Sequence, residues 1–239
     1  MNENITEPMF WSSWKGSIIR AIVLHGLYKK DEILKRTQLE EKRFEQTLGE
    51  LLQNDILKET YRDRFLVRSS ELCHEYRAFF KKTKENLINW VNQWRQEERV
   101  DIWKKHFFLE DKLLYEFSEK LIEHSKVEIL VANPFVQRCY LSNSLMEISK
   151  KGVDVKLITR SSSKYINELS EKGVSITYDE SIHAKLITVD SCVGVVSSMN
   201  LFANSAGGGS WEAGLVTIEE DAAKSIAWSI LTKMQFLKR

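Results

Sequence analysis

The sequence has few cysteines, few prolines and no long apolar run. Its three cysteines, Cys73, Cys139 and Cys192, are an odd number, widely spaced and without a CxxC pair. This argues against a disulfide framework and a cysteine-bound zinc, and it fits a reducing cytoplasm. Two prolines and ten glycines in 239 residues leave little room for linkers, so long helices are expected. No stretch approaches the roughly 18–20 apolar residues that cross a bilayer, and the opening MNENITEPMFWSSWKG has neither a basic start nor an apolar h-region. A cytoplasmic protein with no membrane partner is the expectation. Net charge is also lacking: the formal value is +1, and residues 1–80 hold as many basic as acidic residues. Overall charge therefore names no partner.

What is present is an ordinary core-forming composition, 43% hydrophobic and 29% charged, in a chain long enough for two domains. Residues 1–80 read as three short helices and a hairpin. Ile18, Ile19, Ile22, Val23 and Leu27 form a helical stripe near Gly26. Asp31 is placed to cap a second helix carrying Ile33 and Leu34, and Phe44, Leu48, Leu51 and Leu52 follow the spacing of a third. Ile56-Leu57 and Phe65-Leu66-Val67 then flank the polar turn Tyr61-Arg62-Asp63-Arg64. This order resembles a winged helix-turn-helix, which implies DNA contacts from Lys42 and Arg43 on the third helix and from Arg62, Arg64 and Arg68 on the wing. Glu40, Glu41, Glu45 and Glu50 on the same helix oppose phosphate binding, so dimerisation or protein contact is the competing role.

Residues 81–124 read as a helical connector, with Trp90 and Trp94, then Trp103 and Phe107, at i, i+4. Such aromatic stripes indicate packing. From residue 125 to 239 strands alternate with helices: strands at 127–132, 153–159, 174–178, 183–190, 193–198 and 214–218, helices at 141–151, 163–172 and 221–236, and Gly152 and Gly173 at helix C-caps. The predicted fold class is α/β, a sandwich with a mainly buried sheet.

Strand alternation puts His183 and Lys185 on one face. Asp190 follows Lys185 after four residues, and a further six lead to Ser197-Ser198-Met199-Asn200, then Gly207-Gly208-Gly209-Ser210-Trp211-Glu212. This series resembles the phospholipase D superfamily signature H-x-K-x4-D-x6-G-S-x-N with a downstream acid, with Ser197 where the family usually has glycine. The resemblance covers about residues 105–239, including Asn133-Pro134-Phe135. A single motif is similar to the bacterial nuclease-type members, which implies a homodimer sharing one active site.

The resemblance implies a metal-independent phosphodiesterase with no cofactor. His183 of one subunit attacks phosphorus and His183 of the partner subunit protonates the leaving oxygen, while Lys185, Ser198 and Asn200 hold the phosphate. Glu212 orients a histidine ring, and Asp190 is counted with the motif, a supporting role being favoured. Ser210 and Trp211 are candidates for lining the substrate cleft. His25, His74, His106 and His124 lack metal-ligand spacing, so no metal site is expected. The substrate expected is nucleic acid, with DNA ahead of RNA. The alternatives are a noncatalytic DNA-binding or regulatory protein that uses the fold for dimerisation or ligand sensing, and a lipid phosphodiesterase.

Overall fold

The hydroxyl of Ser13 accepts the Gly16 N–H at 3.0 Å and starts the first helix of the computed structural model, which describes residues 13–60, 63–100, 104–203 and 210–236. The chain divides into residues 1–83 and 84–239. In the first unit α1 (Trp14–Val23), α2 (Lys30–Thr37) and α3 (Glu41–Gln53) precede the antiparallel hairpin β1 (Leu57–Thr60) and β2 (Arg64–Val67). The expected order of elements is present. Ile18, Ile22, Ile33, Phe44, Leu48, Leu51, Leu57 and Phe65 form its apolar interior. Asp31 is not the cap of α2. Lys29 takes that place because its backbone bridges to Arg64 and the Lys30 N–H bonds the Asp63 carbonyl at 3.1 Å, which holds the chain extended until Lys30. Asp31 sits in the first turn, where the helix dipole favours an acid.

Helix α4 (Ser70–Glu97) contains the boundary between the units. The connector expected over 81–124 is therefore not separate: its second half supplies β3 (His106–Glu110) and α5 (Asp111–Glu123) to the larger unit. Phe107, read as helical from its spacing to Trp103, lies on a strand; Trp103 is outside the described residues. In β3 Phe107 and Leu109 are buried while His106, Phe108 and Glu110 are exposed, the period-2 pattern of a half-covered strand. Its partner β9 (Ala213–Thr217), with Phe107 opposite Val216, is distant in sequence, so no local pattern announces the pairing.

The remaining elements follow the expected alternation: β4 (Glu128–Ala132), α6 (Tyr140–Lys150), β5 (Asp154–Thr159), α7 (Lys164–Glu171), β6 (Ser175–Tyr178), β7 (Leu186–Val189), β8 (Val193–Ser197), β9 and α8 (Glu220–Phe236). The seven strands lie in the order β3-β9-β8-β7-β4-β5-β6, with β4, β5 and β6 parallel and the other neighbours antiparallel. Alternation gives the sheet two apolar faces. Ile129, Val131, Val155, Leu157, Ile187 and Val195 pack with α4, α5, α6 and α7, whereas Leu130, Ala132 and Ile158 pack with Ala227, Ile230 and Leu231 of α8. Gly152 and Gly173 follow α6 and α7 with φ of +91° and +99°, the left-handed turn for which glycine is suited.

The turn from β7 to β8 is fixed by one side chain. Asp190 and Ser191 have φ of +49° and +53°, and the Asp190 carboxylate is fully enclosed. It accepts the Val127 and Glu128 N–H groups at 2.9 Å each, the Lys126 N–H at 3.0 Å and the Ser125 hydroxyl at 3.0 Å. Burial pushes this carboxyl above the ordinary carboxylate range, and these donors pull against that shift. Replacing Asp190 with alanine strands the donors at the head of β4 and should cost about 3 kcal/mol in urea unfolding at neutral pH, with Asp190→Asn losing less because it keeps one acceptor.

Candidate active site

The motif residues come together where β7 begins, β8 ends and β9 begins, at one end of these neighbouring strands. The β7 strand is shorter than expected: His183 and Lys185 lie on the extended segment just before Leu186. The Ser197 N–H bonds the Lys185 carbonyl at 3.1 Å, so the β7–β8 ladder continues one step and sets Lys185 beside the end of β8. His183 is exposed and Lys185 half-buried, with the ammonium donating to the His183 carbonyl at 3.3 Å. On the other side of β8, the Ser198 N–H bonds the Ala213 carbonyl at 2.9 Å and the Ala213 N–H returns to the Ser198 hydroxyl at 3.1 Å. This exchange sets Glu212, at the start of β9, against Ser198.

Glu212 is buried, and its carboxylate accepts from the Ser198 hydroxyl and from the Ser210 hydroxyl at 3.4 Å. Asp111, not singled out from the sequence, holds the Glu212 backbone. Its Oδ1 accepts the Glu212 N–H at 2.9 Å, and its own N–H bonds the Glu212 carbonyl at 2.8 Å. An acid at the first position of a helix gave no separate signal, since that is where a helix dipole favours one. Asn133 also has a positioning role. Its Nδ2 donates to the Met199 carbonyl at 3.0 Å and its Oδ1 accepts the Leu201 N–H at 3.3 Å, so one buried amide grips both sides of Asn200.

Asp190 does not join this end. It lies at the opposite end of β7, five residues from Lys185, or about 16 Å along an extended chain, where its carboxylate makes the anchoring contacts described above. Trp211 is 70% exposed beside Glu212, and Ser210 is exposed; Gly207, Gly208 and Gly209 lie outside the described residues. The Trp90 ring packs on His124 at 4.2 Å and Phe117 at 5.7 Å, and Trp94 on Phe117 at 4.7 Å, which is aromatic core packing. His25 bonds Arg36 at 2.8 Å. Among the described residues no three His, Cys, Asp or Glu side chains group as metal ligands. No described helix is long and apolar enough to cross a membrane.

In the first unit Lys42 and Arg43 are exposed on α3, with the Arg43 guanidinium 3.9 Å above the Trp14 ring. Arg64 is exposed on β2, and Arg68 is paired with Asp55 at 2.6 Å. Arg62 lies outside the described residues.

Residues 119–230 match the family model described as cardiolipin synthase, PLD-like domain. No curated protein matches the sequence. Among solved structures the chain is similar to Nuc of Salmonella typhimurium, a phospholipase D family member, at 18% identity over 56% of this chain and 94% of that one, with a TM-score of 0.47. NucT from Helicobacter pylori aligns at 14% identity over 56% and 96% of the respective chains, with a TM-score of 0.48. The archaeal chromatin protein TrmBL2 aligns at 12% identity over 93% and 92%, with a TM-score of 0.44.

The loop leading into His183 is tied down by Asp179, which accepts from Lys233 of α8 at 2.9 Å and from the Ser181 N–H at 2.9 Å. The Lys233 ammonium holds this carboxyl below its ordinary value of 3.8, against the effect of burial. A carboxyl lowered by folding stabilises the fold in full above its unfolded value and loses that contribution as pH falls through the folded one. Urea midpoints measured from pH 7 downward should therefore drop less steeply below pH 3.8 for Asp179→Asn than for the parent.

Proposed function

We propose that this chain, whose residues 119–230 match a phospholipase-D-like domain model, is a phosphodiesterase of the phospholipase D superfamily that cuts nucleic-acid backbones at an active site shared by two identical subunits. What supports the reading is that the start of β7 and the end of β8 bring an exposed His183 near Lys185, Ser198 and Asn200, three side chains able to meet a phosphate. A ring nitrogen of His183 forms a bond to phosphorus, and the P–O bond to the leaving group breaks. The departing oxygen takes its proton from His183 of the partner subunit. That ring, now neutral, removes a proton from water, the water oxygen bonds phosphorus, and the P–N bond breaks to release a phosphomonoester.

Lys185, Asn200 and Ser198 neutralise the negative charge that builds on the nonbridging oxygens. Glu212 aligns the Ser198 hydroxyl and serves as the acid that orients a histidine ring. None of these steps calls for a metal or a cofactor. Lipid hydrolysis keeps the same chemistry, and the family description names a lipid enzyme, so anionic phospholipid vesicles belong in the same assay.

A second reading, DNA binding by the first unit as a winged helix, is supported by how α3 disposes its charge. Glu45 pairs with Lys30 at 2.7 Å and Glu50 with Lys15 at 3.6 Å, so these two acids are neutralised within the unit. With Phe44, Thr47, Leu48 and Leu51 buried, helical spacing turns Lys42, Gln46, Gly49 and Gln53 to the opposite side, and a Cβ added at Gly49 would meet nothing within 4 Å. That stripe is polar with one positive charge, a surface that suits a nucleic-acid groove.

Purified protein in EDTA should cleave labelled oligonucleotides, and His183→Ala should lower the rate on the order of 10³-fold; an undiminished rate in the variant refutes the assignment. Mixing parent with His183→Ala chains should reduce activity as the square of the parent fraction, whereas a linear fall would mean that each chain works alone. For the first unit, Lys42→Ala and Arg64→Ala should each weaken duplex binding and reduce the slope of log K against log salt by about 1.

A further inference from the structure

Beyond the phosphate-holding residues, the same end of the sheet carries an aromatic and guanidinium cluster with one exposed ring. The Arg160 guanidinium lies 4.1 Å from the centroid of the Phe135 ring, and Phe135 meets the Phe202 ring edge-on at 6.5 Å. Phe135 is 43% exposed, whereas Arg160 and Phe202 are half-buried. The backbone beneath them is heavily tied. The Pro134 carbonyl accepts from the Thr159 hydroxyl at 3.3 Å and the Ser161 hydroxyl at 3.2 Å, and the Val136 N–H bonds Ser161 Oγ at 3.0 Å. The Leu201 N–H bonds the Phe135 carbonyl at 3.1 Å, and the Gln137 N–H bonds the Leu201 carbonyl at 2.8 Å. Asn133 Oδ1 accepts from both the Phe135 and the Leu201 N–H groups at 3.3 Å.

These bonds link the cluster to the phosphate-holding residues. Phe202 is two residues from Asn200, and the amide of Asn133 that grips the Met199 carbonyl also fixes Phe135. The antiparallel register of β4 and β7, ending at Ala132 opposite Leu186, makes Asn133 and Lys185 the next pair. In the parallel register of β4 and β5, Ala132 faces Ile158, which brings Arg160 level with Pro134. Phe135, Arg160 and Phe202 thus stand on three hydrogen-bonded loops, following β4, β5 and β8, next to the phosphate-holding side chains.

We propose that Phe135, Arg160 and Phe202 form a stacking subsite for an unpaired nucleobase adjacent to the scissile phosphate, which makes the preferred substrate single-stranded nucleic acid; this rests on the nuclease reading above. Every base has a π-face, and aromatic rings and guanidinium planes hold bases by stacking without reading sequence. The planar Arg160, backed by the Phe135 ring, offers a stacking surface and a positive charge for the neighbouring backbone phosphate. A paired base within a duplex keeps its faces occupied by its neighbours and is not available to such a platform.

The test is steady-state cleavage by the full chain of two single-stranded oligomers of equal length and charge, oligothymidine and a tetrahydrofuran-phosphate oligomer that lacks bases. Phe135→Ala should lower kcat/KM for oligothymidine about 10-fold, the scale of one lost base stack, and leave the base-free oligomer unchanged. Arg160→Lys keeps the charge and removes the plane, so it should lower oligothymidine cleavage and spare the other substrate. Phe135→Trp should retain oligothymidine cleavage, which guards against a folding defect in the alanine variant. Equal losses on both substrates, or none on either, would overturn the stacking subsite while leaving the nuclease reading intact. Parent protein that cleaves neither oligomer but hydrolyses anionic phospholipid vesicles would overturn the nuclease reading itself.

Discussion

The carboxylate of Asp190 at the start of β4 is the constraint from which the geometry of the larger unit follows. Enclosing an acid is costly unless its lone pairs are met, and four donors meet them here: three successive backbone N–H groups and the Ser125 hydroxyl. The Asp190 N–H in turn bonds the Glu128 carbonyl at 2.8 Å, so the β7–β8 turn and β4 are fastened at two points. Strand register is all-or-none, because a slip of one residue would send every side chain to the wrong face. Fixing the turn at one end therefore fixes which residues emerge at the other, Lys185 beside Ser197 and the Ser198 hydroxyl beside Ala213.

At that other end the backbones of the proposed site residues are held by polar side chains from elsewhere in the unit. Asn133 grips the residues on either side of Asn200, Asp111 clips the backbone of Glu212, and Asp179 ties the approach to His183 to α8. Each holder is a short polar side chain that serves backbone donors or acceptors, which allows precise placement with little conformational freedom. The same economy carries the aromatic cluster of Phe135 and Phe202, since its loop shares the Asn133 amide with the Asn200 segment.

The first unit illustrates how charge counted along a sequence differs from charge arranged in space. Its α3 helix carries four acids at or near its ends and flanks, a reading that opposes contact with phosphate. Two of those acids are matched by lysines from α1 and α2, and Arg68 is matched by Asp55. Exposed pairs of this kind contribute little to stability, yet they decide which charges remain to face a partner.

The order of helices and strands from residue 127 onward was legible in the sequence because each element is long enough for its own period to show, and the glycines at 152 and 173 mark helix ends that need a positive φ. The motif spacing was legible as well, since His183 and Lys185 lead into β7 and Ser198 and Asn200 follow the adjacent β8 at fixed separations. The β3 strand was not, because five residues with two adjacent phenylalanines fit helix or strand until β9, a hundred residues later, supplies the hydrogen bonds. The supporting role favoured for Asp190 was legible from its place in the motif, but its partners were not, because the donors it accepts from lie more than sixty residues earlier at the head of β4. The holding roles of Asp111 and Asn133 were likewise hidden, because a hydrogen bond to a distant backbone leaves no periodic trace. The sequence by itself determined the chemistry on offer and the elements that carry it. Long-range pairing decided which of those groups meet, because register and buried hydrogen bonds are properties of strands brought together and not of any one segment.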